Sequence, residues 1–274
     1  MDQLRQFSPA SSSGAQSVDR ALQILSRVGQ KVDEGISLSE MVRESGLAKP
    51  TVRRLLLALS RSGFIEQDPM TRRYFPGREI YILGSLATRR FGLLKLALPS
   101  LARLARASGD AAFLSVKREN HAVCLHREDG DYPVKTHALQ AGYEHPLGVG
   151  AGSLAMLAAL NDDMVETVID AIRPEIERAY PSCSEASMRQ AIIRSRQAGY
   201  ALNPGLIYKD SWGVGIAIQH PAGGVAGAFS IAAVESRLQP ERQRELAALL
   251  REEAQTVERK LKDMFTQAGP VMIG

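Results

Sequence analysis

From Ser17 the apolar positions recur at helical spacing. In SVDRALQILSRV, Val18, Leu22, Leu25 and Val28 lie three or four apart, which predicts an amphipathic helix with Ser17 as its cap. A short GQKVDEG linker leads into ISLSEMVRESG. There Ser39 can cap a second helix, Met41, Val42 and Leu47 supply its apolar face, and Gly46 suits the left-handed residue that ends it. SGLAKPTVRRLLLAL opens a third helix, with Pro50 in the first turn, where its missing N–H costs nothing. At about 100° per residue, Val52, Leu55, Leu56 and Leu59 share one stripe. Pro50, Arg54 and Arg61 fall opposite, flanked by Thr51 and Arg53, and Leu57 lands among these exposed residues.

The period then shortens. GFIEQDPMTRRYFPG reads as a strand, an Asp-Pro turn with Thr71, Arg72 and Arg73 at its tip, and a return strand. REIYILGSLATRRFGLLKLALPSLARLARASG is apolar at helical spacing, with Pro99 as its break. It predicts a linker helix from about Glu79 and a further helix from about Leu98. Beyond Ala111 the period changes, and AAFLSVKR, HAVCLHRE and YPVKTHALQ, separated by Glu-Asn and Glu-Asp-Gly-Asp turns, read as strands. HPLGVGAGSLAMLAAL, DDMVETVIDAI and SEASMRQAIIRSRQAGY read as helices. GVGIAIQH and GVAGAFSIAAV form a hairpin, and PERQRELAALLREEAQTVERKLKDMF closes the chain as an amphipathic helix. This order describes an α+β domain with a largely antiparallel sheet. The expected division is a disordered tail over 1–16, a helical and hairpin domain over 17–78, a linker helix over 79–97 and the α+β domain over 98–267.

Charge gives the first domain its meaning. The chain carries a formal +4, yet between Arg43 and Lys95 eleven Lys and Arg face four Asp and Glu, a net +7, which leaves −3 for the rest. A basic segment on an otherwise slightly acidic chain is a footprint for phosphate, or a solvated basic face. Two helices joined by a Gly-containing turn, the second basic near its start and followed by a basic-tipped hairpin, make a winged helix-turn-helix. Lys49, Pro50, Thr51, Arg53 and Arg54 open the helix that would enter the major groove, and Arg61 extends its basic face. Arg72 and Arg73 would reach phosphates or the minor groove from the wing. For Leu57 two readings stand: contact with a thymine methyl, or packing on a neighbouring segment. A long helix after such a domain is a natural dimer seam, because two-fold half-sites require two chains.

The remaining residues exclude more than they propose. No apolar run approaches the roughly 20 residues of a membrane span. The first residues lack the apolar middle of a secretory signal, so a cytoplasmic protein is expected. Cys124, in an apolar run, reads as a buried small residue, and Cys183 lies in a polar segment; neither has a base placed to activate it. His121, His126, His137, His145 and His220 show no metal-ligand spacing and read as surface or strand residues. In PLGVGAGSLA, Gly148, Gly150 and Gly152 precede a helix whose bare N–H groups could hold a carboxylate or phosphate; a tight turn is the other reading. Neither a dinucleotide fingerprint nor a nucleophile elbow around Ser153 is present. No enzyme, metal or cofactor is indicated.

From about Ser17 to Phe265 the chain resembles the IclR family of bacterial transcription factors. Four stretches carry the likeness: SVDRALQILSRV, SGLAKPTVRRLLLALSRSGFIEQDPMTRRYFPG, HPLGVGAGSLAMLAAL, and RSRQAGYALNPGLIYKDSWGVGIAIQHPAGGVAGAFSIAA. The resemblance implies a winged helix-turn-helix joined by a linker helix to a GAF-like effector-binding domain. It implies double-stranded operator DNA as partner, dimers or dimers of dimers, and a small carboxylate effector. By position it assigns the effector pocket to Thr136, Gly150, Ala151, Asn203, Gly213, Ser230 and Ala232, with the N–H groups of Gly150 and Ala151 toward a carboxylate. The chain departs from the pattern at Pro50, where Ser is usual, and at Arg53, where His is frequent. It departs also at Ser153, where the turn commonly has Lys, at Asn203 for Asp and at Ala232 for Ser. Fewer polar groups imply a larger or more apolar effector, an aromatic acid for instance. A small-acid enzyme with an incidental basic segment and a ligand-independent DNA-binding protein are the alternatives.

Overall fold

The computed structural model describes residues 15–88, 92–135 and 139–268. The expected tail up to residue 14 and Thr136 lie outside them. The chain divides into two compact units, one up to residue 91 and one from residue 92.

In the first unit, α1 (Gln16–Gln30), α2 (Leu38–Ser45) and α3 (Lys49–Arg61) precede a hairpin of β1 (Ile65–Gln67) and β2 (Tyr74–Pro76), then α4 (Arg78–Ala87). This is the expected winged helix-turn-helix. Its core gathers Ile24, Val28, Ile36, Met41, Val52, Leu55, Leu56, Ile65 and Tyr74. Three local expectations change. α1 begins before Ser17, with no side-chain cap. Its phase is also rotated: Ala21, Ile24, Leu25 and Val28 face the core, and Val18 and Leu22 are exposed. Ile24 and Val28 are completely covered, and their shared face sets the rotation. Ser37, not Ser39, caps α2: its hydroxyl accepts the Glu40 N–H at 3.2 Å, and the Glu40 carboxylate accepts the Ser37 N–H at 2.8 Å. This reciprocal pair satisfies two donors that a helix start leaves unpaired. Gly46 ends α2 with φ 67°, as expected.

The second unit begins earlier than expected. α5 (Leu93–Ser108) runs through Pro99, and Leu93 and Ala97 are buried in its core, so the break lies near Gly92 rather than at the proline. Strands β3 (Ala111–Arg118), β4 (His121–Glu128), β5 (Glu144–Pro146), β6 (Ala201–Pro204), β7 (Ser211–Gln219) and β8 (Val225–Val234) form one antiparallel sheet in the order β5-β4-β3-β8-β7-β6. YPVKTHALQ contributes no strand in its described residues. Tyr132 instead lies under the Arg237 guanidinium, 3.8 Å from the ring centre, and Pro133 has no N–H to give a sheet. β6 was not anticipated.

Both faces of the sheet are covered. α5 and α9 (Pro240–Ala268) pack on Ala112, Leu114, Val214, Ile216, Ile218, Phe229, Ile231 and Ala233. α6 (Ala151–Ala158), α7 (Asp162–Ala179) and α8 (Glu185–Ala198) cover the other face. Strands buried on both faces need apolar residues throughout, which explains the continuous runs in β3, β7 and β8. The alternation sends Phe113, Gly213, Gly215, Ser230 and Ala232 to the α6 side. Where the start of α6 crosses β7 the strand must be bare: a Cβ on Gly215 would stand 2.3 Å from the Ala151 carbonyl oxygen.

Candidate nucleic-acid interface and ligand cavity

On α3, Val52, Leu55 and Leu56 are buried, whereas Lys49, Pro50, Arg53, Arg54 and Arg61 are exposed and Thr51 is half-buried. The first turn carries no acid. Among the described residues, the side chains of Lys49, Arg53, Arg54 and Arg61 make no ion pair or hydrogen bond. An exposed guanidinium without a carboxylate partner is available to phosphate or a base edge.

The wing treats its two arginines differently. Asp68 accepts the N–H of Thr71 at 2.6 Å and its hydroxyl at 2.7 Å, closing the tip, and Arg72 follows in the left-handed region at φ 59°. The Arg72 side chain points to solvent. Arg73 turns inward: Nε donates to the Glu34 carbonyl at 2.7 Å, and Nη2 to the Gly35 carbonyl at 3.1 Å and to Glu40 at 2.9 Å. The hydrogen bonds from Ser37, then the Arg73 guanidinium, hold the Glu40 carboxyl down to about 2. Arg73 thus ties the wing to the α2 cap and is not directed outward.

In the second unit, Gly150, Ala151, Asn203, Gly213, Ser230 and Ala232 line one cavity between the start of α6 and the sheet. Phe113, Leu139, Ile207, Ser211, Trp212 and Ile231 complete its wall. The register brings them together: Ser230 lies between Phe113 and Gly215, and Ala232 between Ala111 and Gly213. Sequence reasoning missed Phe113 and Trp212. Phe113 becomes visible only once its cross-strand pairing with Ser230 is known. The cavity is small, about 20 Å3.

Its polar groups differ from expectation in one respect. The Gly150 N–H donates to the Ser153 hydroxyl at 2.8 Å, which donates back to the Gly150 carbonyl at 2.9 Å. Ser153 therefore closes the turn and occupies one of the two amides expected to meet a carboxylate. The Asn203 side-chain oxygen accepts the Leu206 N–H at 2.8 Å, which leaves its NH2 as donor. Among the described residues no lysine or arginine lines the cavity.

Behind the Gly150 wall lie two histidines that the sequence pattern placed among surface or strand residues. His121 Nε2 is 2.8 Å from Glu175. His145 on β5 is buried, and neither ring nitrogen has a partner among the described residues. Its Nε2 stands 3.0 Å from the place a Cβ on Gly150 would take. Burial, then the neighbouring His121, holds the His145 imidazole down to about 4, against the pull of Glu175. Among the described residues no cluster of three or more His, Cys, Asp or Glu is placed to hold a metal. Cys124 is buried as expected; Cys183, despite its polar flanks, is buried too.

A winged helix-turn-helix with an uncommitted basic recognition face, in one chain with a separate α/β unit, is the build of a DNA-binding transcriptional regulator. Comparison with known proteins agrees. Residues 17–69 match the IclR helix-turn-helix domain, and residues 85–259 match the C-terminal region of bacterial transcriptional regulator IclR, so the chain belongs to the IclR family of bacterial transcriptional regulators. It is 28% identical over 249 residues to ArcR of Halobacterium salinarum, described as a probable HTH-type transcriptional regulator, covering 90% of this chain and 94% of that one. It is 27% identical over 261 residues to the glycerol operon regulatory protein of Streptomyces coelicolor, covering 90% and 96%. The fold matches an IclR transcriptional regulator from Alicyclobacillus acidocaldarius with a TM-score of 0.74 at 24% identity, over 90% of this chain and 98% of that one. It matches an IclR homologue from Microbacterium hydrocarbonoxydans, solved with 4-hydroxybenzoate, with a TM-score of 0.71 at 21% identity, over 90% and 99%. These relatives are named as regulators, not enzymes. No described helix is long and apolar enough to cross a membrane.

Proposed function

We propose that the chain binds a specific operator through α3 and the wing, and that a small organic acid in the cavity of the second unit modulates that binding. The observation that carries the reading is the grouping of Gly150, Ala151, Asn203, Gly213, Ser230 and Ala232 around one cavity at a helix start. A carboxylate there meets the N–H groups at the start of α6, where the helix dipole favours negative charge. Because Ser153 engages Gly150, the donors are the amides of Ala151 and Gly152, with the Ser230 hydroxyl and the Asn203 amide beside them. Phe113, Leu139, Ile207 and Trp212 offer an apolar wall, which supports an aromatic acid as effector. The 4-hydroxybenzoate held by the Microbacterium protein makes hydroxybenzoates the first compounds to try. Lys49, Pro50, Thr51, Arg53 and Arg54 face the bases, and Arg61 and Arg72 the phosphates. Arg73 fixes the wing. Two chains pair through the exposed apolar side of α4, where Ile82, Leu83 and Leu86 stand in solvent.

The tests are direct. A promoter fragment from the chain's own genome should shift with the protein, and Arg54→Ala should weaken that complex by about 1–3 kcal/mol if Arg54 grips a guanine. Binding that ignores sequence would defeat the operator reading. Trp212, the single tryptophan, lines the cavity, so its fluorescence should respond saturably to the right acid and not in a Trp212→Phe variant.

A further inference from the structure

α3 carries an apolar side chain in the middle of its basic face. Leu57 is 52% exposed, although Leu56 beside it is completely covered. By helical angle Leu57 stands about 20° from Pro50, with Arg53 about 40° to one side and Arg61 and Arg54 about 40° and 60° to the other. α3 packs on α1, α2 and β1 through Val52, Leu55 and Leu56, on its opposite side. Leu57 therefore stands on the side of α3 that faces away from the described core of its unit.

The surroundings select what can cover it. A protein surface that buried Leu57 would draw Arg53, Arg54 and Arg61 into the same contact, and α3 has no carboxylate to balance them. A polyanion with an apolar group between its charges satisfies all four residues at once. The DNA major groove is such a surface, and its apolar group is the thymine 5-methyl. We propose that Leu57 reads the 5-methyl group of a thymine in the operator. Pro50 lies on the same stripe about 10 Å nearer the helix start, a distance of about three base steps. The arginines on either side hold the phosphates and base edges around that thymine. This inference rests on the operator-binding reading and adds to it the base that one position demands.

Selection from random DNA supplies the test duplex. Random-sequence duplexes are enriched on the full-length protein, and the best one is resynthesised with each thymine in turn replaced by 2′-deoxyuridine. That change removes the methyl and keeps every hydrogen-bonding group. One replacement should weaken binding by about four-fold, the worth of one buried methyl-sized group. The same replacement should leave the affinity of Leu57→Ala unchanged. The ratio is read within each protein, so a general loss of affinity in the variant does not enter it. If no thymine is sensitive, or if Leu57→Ala keeps the same sensitivity, Leu57 does not read a methyl. If no sequence is enriched at all, the operator-binding reading falls, and this inference with it.

Discussion

Arg72 and Arg73 are neighbours in sequence with opposite surroundings. Arg72 is exposed at the wing tip, whereas Arg73 binds two carbonyls and Glu40. Arg72→Ala should therefore weaken DNA binding evenly across sequences and reduce the salt dependence by about one unit of slope, measured by titration at several salt concentrations. Arg73→Ala should instead lower the unfolding midpoint. Their difference could not be read from RR at a turn, because the partners of Arg73 lie more than thirty residues away. His145 is illegible for the same reason: its burial depends on packing behind Gly150. Its consequence is a pH dependence. With the imidazole near 4 in the folded chain against 6.5 for the ordinary group, the unfolded chain binds the extra proton between those values. Stability then holds above about pH 6.5 and falls toward pH 4, by at most about 3 kcal/mol. His145→Leu removes two buried nitrogens that have no partner among the described residues, and it should flatten this window in denaturation curves.

At the scale of elements, helix type was legible, and so was the phase of α3, but not that of α1. Both Ser37 and Ser39 are credible caps by residue type. Only Ser37 has Glu40 three positions on, and that pair is the sequence signal for the cap. Ser37→Ala should cost about 1 kcal/mol in chemical denaturation, while Ser39→Ala stays near neutral. In α1 the spacing of Val18, Leu22, Leu25 and Val28 is helical, but so is that of Ala21, Ile24, Leu25 and Val28, and packing alone chooses the second. The sheet shows the reverse case. Its apolar runs were plain in β3, β7 and β8, whereas β6 and β5 have four and three residues, too short for a pattern to show. Gly215 is the element-scale test of the cavity floor. Gly215→Ala drives a methyl into the Ala151 carbonyl and should destabilise the second unit by about 1–3 kcal/mol or more, seen as a lowered melting point.

At the scale of the molecule, the two-unit plan follows from the switch in period near residue 110 and from the uneven charge. The boundary was misplaced because Pro99 reads as a break, while the chain accommodates it within α5. The residues proposed to meet an effector are suggested by the family resemblance; apart from Thr136, which lies outside the described residues, they are far apart in sequence, and the antiparallel pairing of β6, β7 and β8 under the start of α6 gathers them. The cavity they line has room for little more than one water, far less than the hundreds of Å3 that usually enclose a metabolite. An aromatic acid can enter only after Leu139, Ile207 or Trp212 moves aside. That motion sets a ceiling on speed. In rapid mixing, the rate at which Trp212 responds should level off as acid concentration rises, at the frequency with which the walls part. A rate that climbs in proportion to concentration, without a plateau, would mean that the doorway already stands open.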